Sequence, residues 1–259
     1  MKISNSHSKN MHLHTEREGA YFPLNAINEV SQRYFFAKKY CKNKVVLEIG
    51  PGTGIASDKL INISKEYVCV EYSKENYQIL KKKYPDIQSV NSDFLTVDLL
   101  DKKFDTIISM ANIYYFDFQK FIAKCSKYNT KNGDLVFCTT NISHQDFNPA
   151  PFSIKYYSLS KLREIMNNYG YKTTFYGAFK KVNNTGTSAN ILNKILKILI
   201  PKFIVYQMKI LLKKIKPFAI DSHEISTTNK KMQLDLVDSD SDSKDYIVLY
   251  CSAKKVRDL

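Results

Sequence analysis

Glu48-Ile49-Gly50-Pro51-Gly52-Thr53-Gly54 is the stretch whose reading decides the fold. It ends the apolar run KVVLEIG (44–50), which reads as a buried parallel strand. It precedes IASDKLINIS (55–64), which reads as a helix. Glycines at such a junction let the backbone turn tightly and let a ligand come close without a side chain in the way. The helix that follows presents N–H groups with no intrahelical partner. A dinucleotide site of the G-x-G-x-x-G kind carries a third glycine where this chain has Ile55. The spacing here is G-x-G-x-G, with an acid two residues before the first glycine.

Outward from that turn, strands alternate with helices. Upstream, residues 25–42 have helical apolar spacing through Ile27, Val30, Tyr34, Phe35 and Ala37. Downstream, strands are read at 67–72, 87–93, 104–110 and 134–141, with helices at 74–84 and 116–128 and a turn at Asn132-Gly133. A helix at 158–170 and strands at 171–179 and 245–253 complete the pattern. Alternation of this kind predicts an α/β protein with a doubly wound, mostly parallel sheet of seven strands. A helical insertion separates the last two strands. The chain divides into an N-terminal arm (1–24), the main domain (25–180), a lysine-rich helical insertion with an acidic loop (181–243) and the final strand (244–259). The acidic loop contains Asp238, Asp240 and Asp242, but it lacks the glycine and closing glutamate of an EF-hand and reads as solvated.

Three further features stand at strand ends. Glu71 closes the second strand, 23 residues after Glu48, where a carboxylate can accept from both hydroxyls of a ribose. Asn91-Ser92-Asp93-Phe94 follows the third strand, and Ser109-Met110-Ala111-Asn112 follows the fourth. Together with the glycine turn, the set resembles class I S-adenosylmethionine (SAM)-dependent methyltransferases, Rossmann-like in fold. The resemblance covers about residues 44–180 and the final strand. It implies SAM as cofactor, with Glu48, Gly50, Gly52 and Gly54 forming the first motif. It implies Glu71, with Tyr72 beside it, at the ribose. It places Asp93 at the adenine amino group, Phe94 stacked on the ring, and Met110 beside the reacting groups.

The lead His12-Leu13-His14-Thr15-Glu16-Arg17-Glu18-Gly19-Ala20-Tyr21 resembles small-molecule methyltransferases of bacterial capsule and lipopolysaccharide gene clusters. This implies Tyr21, or Arg17 as a cationic clamp, at the methionine carboxylate. The acceptor it implies is an oxygen of a sugar or sugar-linked precursor in surface-polysaccharide biosynthesis. A sugar hydroxyl needs a base, and histidine suits that work near neutral pH. His144, just beyond the fifth strand, and His14, on the arm, are the candidates, with Asp146 to orient or replace His144. Each histidine also reads as an ordinary polar loop residue. The motif after the fourth strand lacks the prolines of methyltransferases that act on exocyclic base amines, and no Pro-Cys pair of the cytosine-C5 type occurs.

The formal net charge of +14 raises the question of nucleic acid. Residues 180–216 hold nine lysines and no acid, which leaves 30 basic against 25 acidic residues elsewhere. The charge therefore belongs mostly to one segment, and nucleic acid is not the favoured partner. ILNKILKILIPKFIVYQMKILLKKIKPF (191–218) reads as two amphipathic helices parted by Pro201. They either cover the active site or form a homodimer interface, or they contact an anionic membrane through residues 191–216. The lysine face also suits a phosphorylated or nucleotide-linked small molecule. Two rival functions stay open: a membrane-associated methyltransferase of a lipid or quinone-like acceptor, and an RNA-binding protein of methyltransferase fold. Five scattered cysteines without a C-x-x-C pair argue against a metal cluster or disulfide framework. With no signal-like or spanning apolar run, the expected home is the cytoplasm, with the inner membrane face as the variant.

Overall fold

The computed structural model of the chain describes residues 24–180 and 233–258. His14, Arg17, Tyr21 and the two helices read at 191–218 lie outside the described residues. In chain order the elements are α1 (Leu24–Cys41), β1 (Val45–Ile49), α2 (Asp58–Ile61), β2 (Glu66–Glu71), α3 (Lys74–Lys83) and β3 (Gln88–Asn91). Next come β4 (Phe104–Met110), a 3-10 turn (Ile113–Tyr115), α4 (Phe118–Tyr128), β5 (Asn129–Thr140) and α5 (Leu159–Asn168). Last come β6 (Tyr171–Lys180), β7 (Asp235–Val237), α6 (Asp240–Ser243) and β8 (Tyr246–Lys255). The sheet order is β3-β2-β1-β4-β5-β8-β6-β7. Neighbours among the first five strands pair in parallel, while β8 pairs antiparallel with both β5 and β6. This is the Rossmann-like, mostly parallel α/β sheet that the alternation predicts.

The sheet has eight strands rather than seven. The additional strand, β7, opens the acidic, serine-rich stretch read as a solvated loop. Val237 is buried and pairs with Phe175 on β6, so one apolar residue at the edge is enough to draw that stretch into the sheet. Farther along, the Asp240 carboxylate accepts from the Ser160 N–H at 3.0 Å and so serves the first turn of α5. Strand β5 also begins earlier than the Asn132-Gly133 turn suggests. Asn132 has φ +61°, and the register against β4 jumps from Phe104↔Asn129 to Thr106↔Asp134. The turn residues become a bulge inside the strand.

Period-two alternation sorts the strands onto two cores. Leu47, Ile49, Val68, Val70 and Ile107 face α4 and α5, where Phe121 and Leu162 pack. Val46, Cys69, Ile108 and Val136 face α1, α2 and α3, where Ala37, Leu60 and Leu80 pack. None of the five cysteines forms a disulfide, and all are buried. Among the described residues, no helix is long and apolar enough to cross a membrane. The chain reverses direction across the sheet between β1 and β4, and open α/β sheets hold ligands at such a switch point, outside the carboxyl ends of the strands.

Candidate functional site

A cavity of about 890 Å³ lies at that switch point. Gly50 and Gly52 line it from the glycine turn, Glu71, Tyr72 and Asn76 from the end of β2 and the start of α3, and Asp93 and Leu95 from the loop after β3. Met110, Asn112, Tyr114 and Tyr115 close it from the β4 side, with Pro151 and Ile154 from the segment after β5. A second groove of about 1110 Å³ is lined, among the described residues, by Phe35, Phe36, Ile63 and Leu234 with Lys38, Lys39 and Lys42. It has no carboxylate and no glycine turn among those residues, so its greater size does not make it the site.

The turn itself is held open by its glycines. Gly50 has φ +68°, and a Cβ there would run into the Asn112 carboxamide. Asn112 joins the two sides of the switch point: its Nδ2 donates to the Ile49 carbonyl at 2.6 Å, and Ser109 Oγ donates to its Oδ1. The expectation that a helix opens at Ile55 is corrected. Residues 54–57 form overlapping turns, and α2 is a four-residue helix from Asp58. The cradle is therefore the backbone of the glycine turn and not a helix end. Gly54 is away from the cavity, under the ring of Tyr84, whose hydroxyl donates to its carbonyl at 3.0 Å. Its need for glycine comes from its φ of +69° and from this packing.

Glu71 is the fixed point of the site. It is 6% exposed. The Gly52 N–H donates to its Oε2 at 2.9 Å, the Ser73 N–H to its Oε1 at 2.8 Å, and the Asn76 carboxamide donates to it as well. Burial pushes its carboxyl up to about 7, against the pull of those three donors. An ionised carboxylate has about four acceptor positions, so one remains for a ligand hydroxyl beyond the three donors, and further sharing is open at each oxygen. Asp93 lines the cavity and spends one oxygen on the Leu95 N–H at 2.8 Å.

Several expected site residues stand elsewhere. Glu48 does not line the cavity. Alternation places it on the face of Val46, where the hydroxyls of Tyr34 (2.7 Å) and Ser57 (3.0 Å), together with that of Tyr67, donate to it. Burial raises its carboxyl. It anchors α1 and the glycine turn from beneath. Phe94 borders the cavity but is only 2% exposed, because its ring packs edge-on against Phe116 and Phe121. Its ring is taken up by those packing contacts, and the half-buried Leu95 beside it also lines the cavity. His144 is 4% exposed and is not among the residues lining the cavity. Its Nδ1 accepts from the Asp146 N–H at 3.1 Å, which fixes a turn after β5. The assignment of His144 as a base at this cavity is therefore corrected: its imidazole is turned into the protein.

Two of the lining residues outside the sequence-predicted set stand beside Glu71 or carry charge from α1. Arg33, on α1, brings a guanidinium to the cavity while it pairs with Glu29 at 3.7 Å. Asn76 is the other, five residues beyond Glu71, and the spacing Glu-x-Ser-x-x-Asn was its only signal.

With this geometry in view, comparison with known proteins is specific. Residues 47–137 match the family model described as a methyltransferase domain. A methyltransferase of Anoxybacillus flavithermus is 34% identical over 99 residues, which are 37% of this chain and 47% of that protein. Ribosomal RNA small subunit methyltransferase A of Mesomycoplasma hyopneumoniae is 36% identical over 102 residues, 39% of each. The chain thus spans less than half the length of these relatives. Among solved structures, a SAM-dependent methyltransferase from Archaeoglobus fulgidus superposes with a TM-score of 0.55 at 13% identity, over 97% of this chain and 100% of that one. One from Aquifex aeolicus gives 0.52 at 14%, over 68% and 93%. These two likenesses are of fold. The methyltransferase-domain match implies SAM as the cofactor, and the match spans the turn, Glu71 and Asp93.

Proposed function

We propose that the chain is a SAM-dependent methyltransferase of a small molecule. One observation carries the reading: the Glu71 carboxylate, fixed by the N–H groups of Gly52 and Ser73, faces a cavity that the glycine turn leaves open. When bound, SAM supplies an electrophilic methyl group. The residues that would hold it are Glu71 at the ribose hydroxyls, Asp93 at the adenine amine and Arg33 at the carboxylate. Gly50 and Gly52 leave room for the chain between them.

The acceptor enters from the side of Tyr114, Tyr115, Pro151 and Ile154. We take it to be an oxygen of a sugar or sugar-linked precursor, as the N-terminal lead suggests, with Lys120 suited to a phosphate on it. His14 then remains the candidate base, and the arm that carries it lies outside the described residues. Incubating the full chain with labelled SAM and panels of free, phosphorylated and nucleotide-linked sugars tests this. Methyl transfer to such a sugar is the result expected, and transfer confined to other acceptors would remove the sugar assignment.

A second reading, methylation of a ribosomal RNA base, has the likeness to ribosomal RNA small subunit methyltransferase A in its favour. Against it, the Asn112 carboxamide after β4 is engaged at both ends by Ile49 and Ser109, and the prolines of exocyclic-amine enzymes are missing there. A steeply salt-dependent gel shift with ribosomal RNA, together with methyl transfer to it, would favour this second reading.

A further inference from the structure

We infer that Asn76 is a positioning residue for the cofactor: its carboxamide orients the Glu71 carboxylate and keeps it in the charged form that receives the ribose hydroxyls. The inference rests on the proposal that SAM occupies this cavity.

Asn76 sits in the first turn of α3, is 2% exposed and lines the cavity. Its backbone N–H donates to Ser73 Oγ at 3.3 Å, an N-cap contact that any residue could make. Its side chain does something an apolar residue could not, since it donates to Glu71. Two of the three donors on that carboxylate belong to the backbone of Gly52 and Ser73 and come with the fold. The third is the one set by a side chain.

The need for it follows from burial. A carboxylate withdrawn from water tends to take up a proton, and Glu71 stands near the neutral range for that reason. Glu48, buried on the neighbouring strand, adds repulsion. Arg33 from α1, Tyr72 at the end of β2, and Asp93 after β3 line the same cavity, as do Asp117 and Lys120 of the α4 start. Protonated Glu71 would give up an acceptor position and turn an O–H donor toward the diol. A hydrogen bond to the charged form favours that form, and so Asn76 lowers the pH at which the site becomes competent.

The test is the pH profile of S-adenosylhomocysteine affinity for the full chain, measured by calorimetry from pH 5.5 to 9. Wild type should bind and should weaken as pH falls through about 7. Asn76→Leu, close in shape but without a donor, should move that fall upward by about one pH unit, so that its deficit against wild type shrinks toward pH 9. Titration of the ligand's own groups is common to both proteins and cancels in the difference. Asn76→Asp, with nearly unchanged shape, should bind at least about tenfold more weakly at pH 8 through like-charge repulsion. If Asn76→Leu is unfolded by its melting curve, Asn76→Asp decides alone, and wild-type affinity at pH 8 would overturn the inference. Parallel profiles for wild type and a folded Asn76→Leu would also overturn it, since a packing role weakens binding equally at every pH. Failure of wild type to bind at any pH would instead bring down the proposed function.

Discussion

The two ends of the cavity are made of different materials. Toward β1 and β2 the surface is backbone and buried charge: a glycine turn, the N–H groups of Gly52 and Ser73, and Glu71 between them. Toward β4 and β5 it is side chain: Tyr114 stacks on Tyr156 with centroids 4.7 Å apart, and Tyr115, Pro151 and Ile154 line the same end. That wall is held by the Tyr114 carbonyl, which accepts from the Ile154 N–H at 2.8 Å. Fixed polar groups at one end suit a ligand that never changes. A wall of replaceable rings suits an acceptor that differs from enzyme to enzyme. The methyltransferase-domain match, residues 47–137, covers the first end together with Tyr114 and Tyr115 and stops short of the segment that carries Pro151 and Ile154.

Substitutions can break this division of labour, and the largest effect belongs to the glycine turn. Gly50→Val combines a positive φ with a collision against Asn112. It should abolish S-adenosylhomocysteine binding and destabilise the fold by about 3 kcal/mol or more, read by calorimetry and thermal melting. A folded, binding Gly50→Val would mean that the turn does not shape the site.

The ionisation of Glu71 comes next. Its folded value is raised to about 7 above its ordinary carboxylate range, so the stability it contributes is full below that ordinary range and is lost as pH rises toward 7. The ligand-free chain should lose up to about 3 kcal/mol between about pH 4.5 and 7 from this group. Glu71→Gln should flatten that part of the melting profile. An unchanged profile would mean that Glu71 is not the group titrating.

At the other end, Tyr115→Ala should lower turnover at least about tenfold by loosening the acceptor. S-adenosylhomocysteine affinity should stay within about threefold, which is under 1 kcal/mol. Equal losses in both would erase the distinction between the two ends. The smallest effect on chemistry should come from His144→Ala, with turnover within about threefold and about 1 kcal/mol of stability lost with the Asp146 contact. A loss near 10²-fold would restore His144 as a base.

What could be read from sequence follows the same line. Strand period, the glycine turn and Glu71 are backbone matters with local signatures, and they stand where the pattern predicts. Glu48 reads as a ligand group in the first motif, although its alternation with Val46 already places it on the face that α1 covers. The burial of Phe94 is hidden because Phe116 and Phe121 are distant in sequence, and that of His144 because the sequence does not show which way its turn after β5 faces. Arg33 went unseen because a basic residue on an amphipathic helix carries no mark of what it faces. Asn76 is marked only by its spacing from Glu71, which does not say that the carboxylate needs a third donor.

The most direct test of the account is a calorimetric titration of S-adenosylhomocysteine into the full chain and into Glu71→Ala at pH 8, with melting curves to verify folding. The prediction is saturable binding of one ligand per chain, weakened in the variant by roughly 1–3 kcal/mol, or about five- to 150-fold. No binding to a folded wild-type chain, or equal binding by both proteins, would contradict the assignment of this cavity to the cofactor.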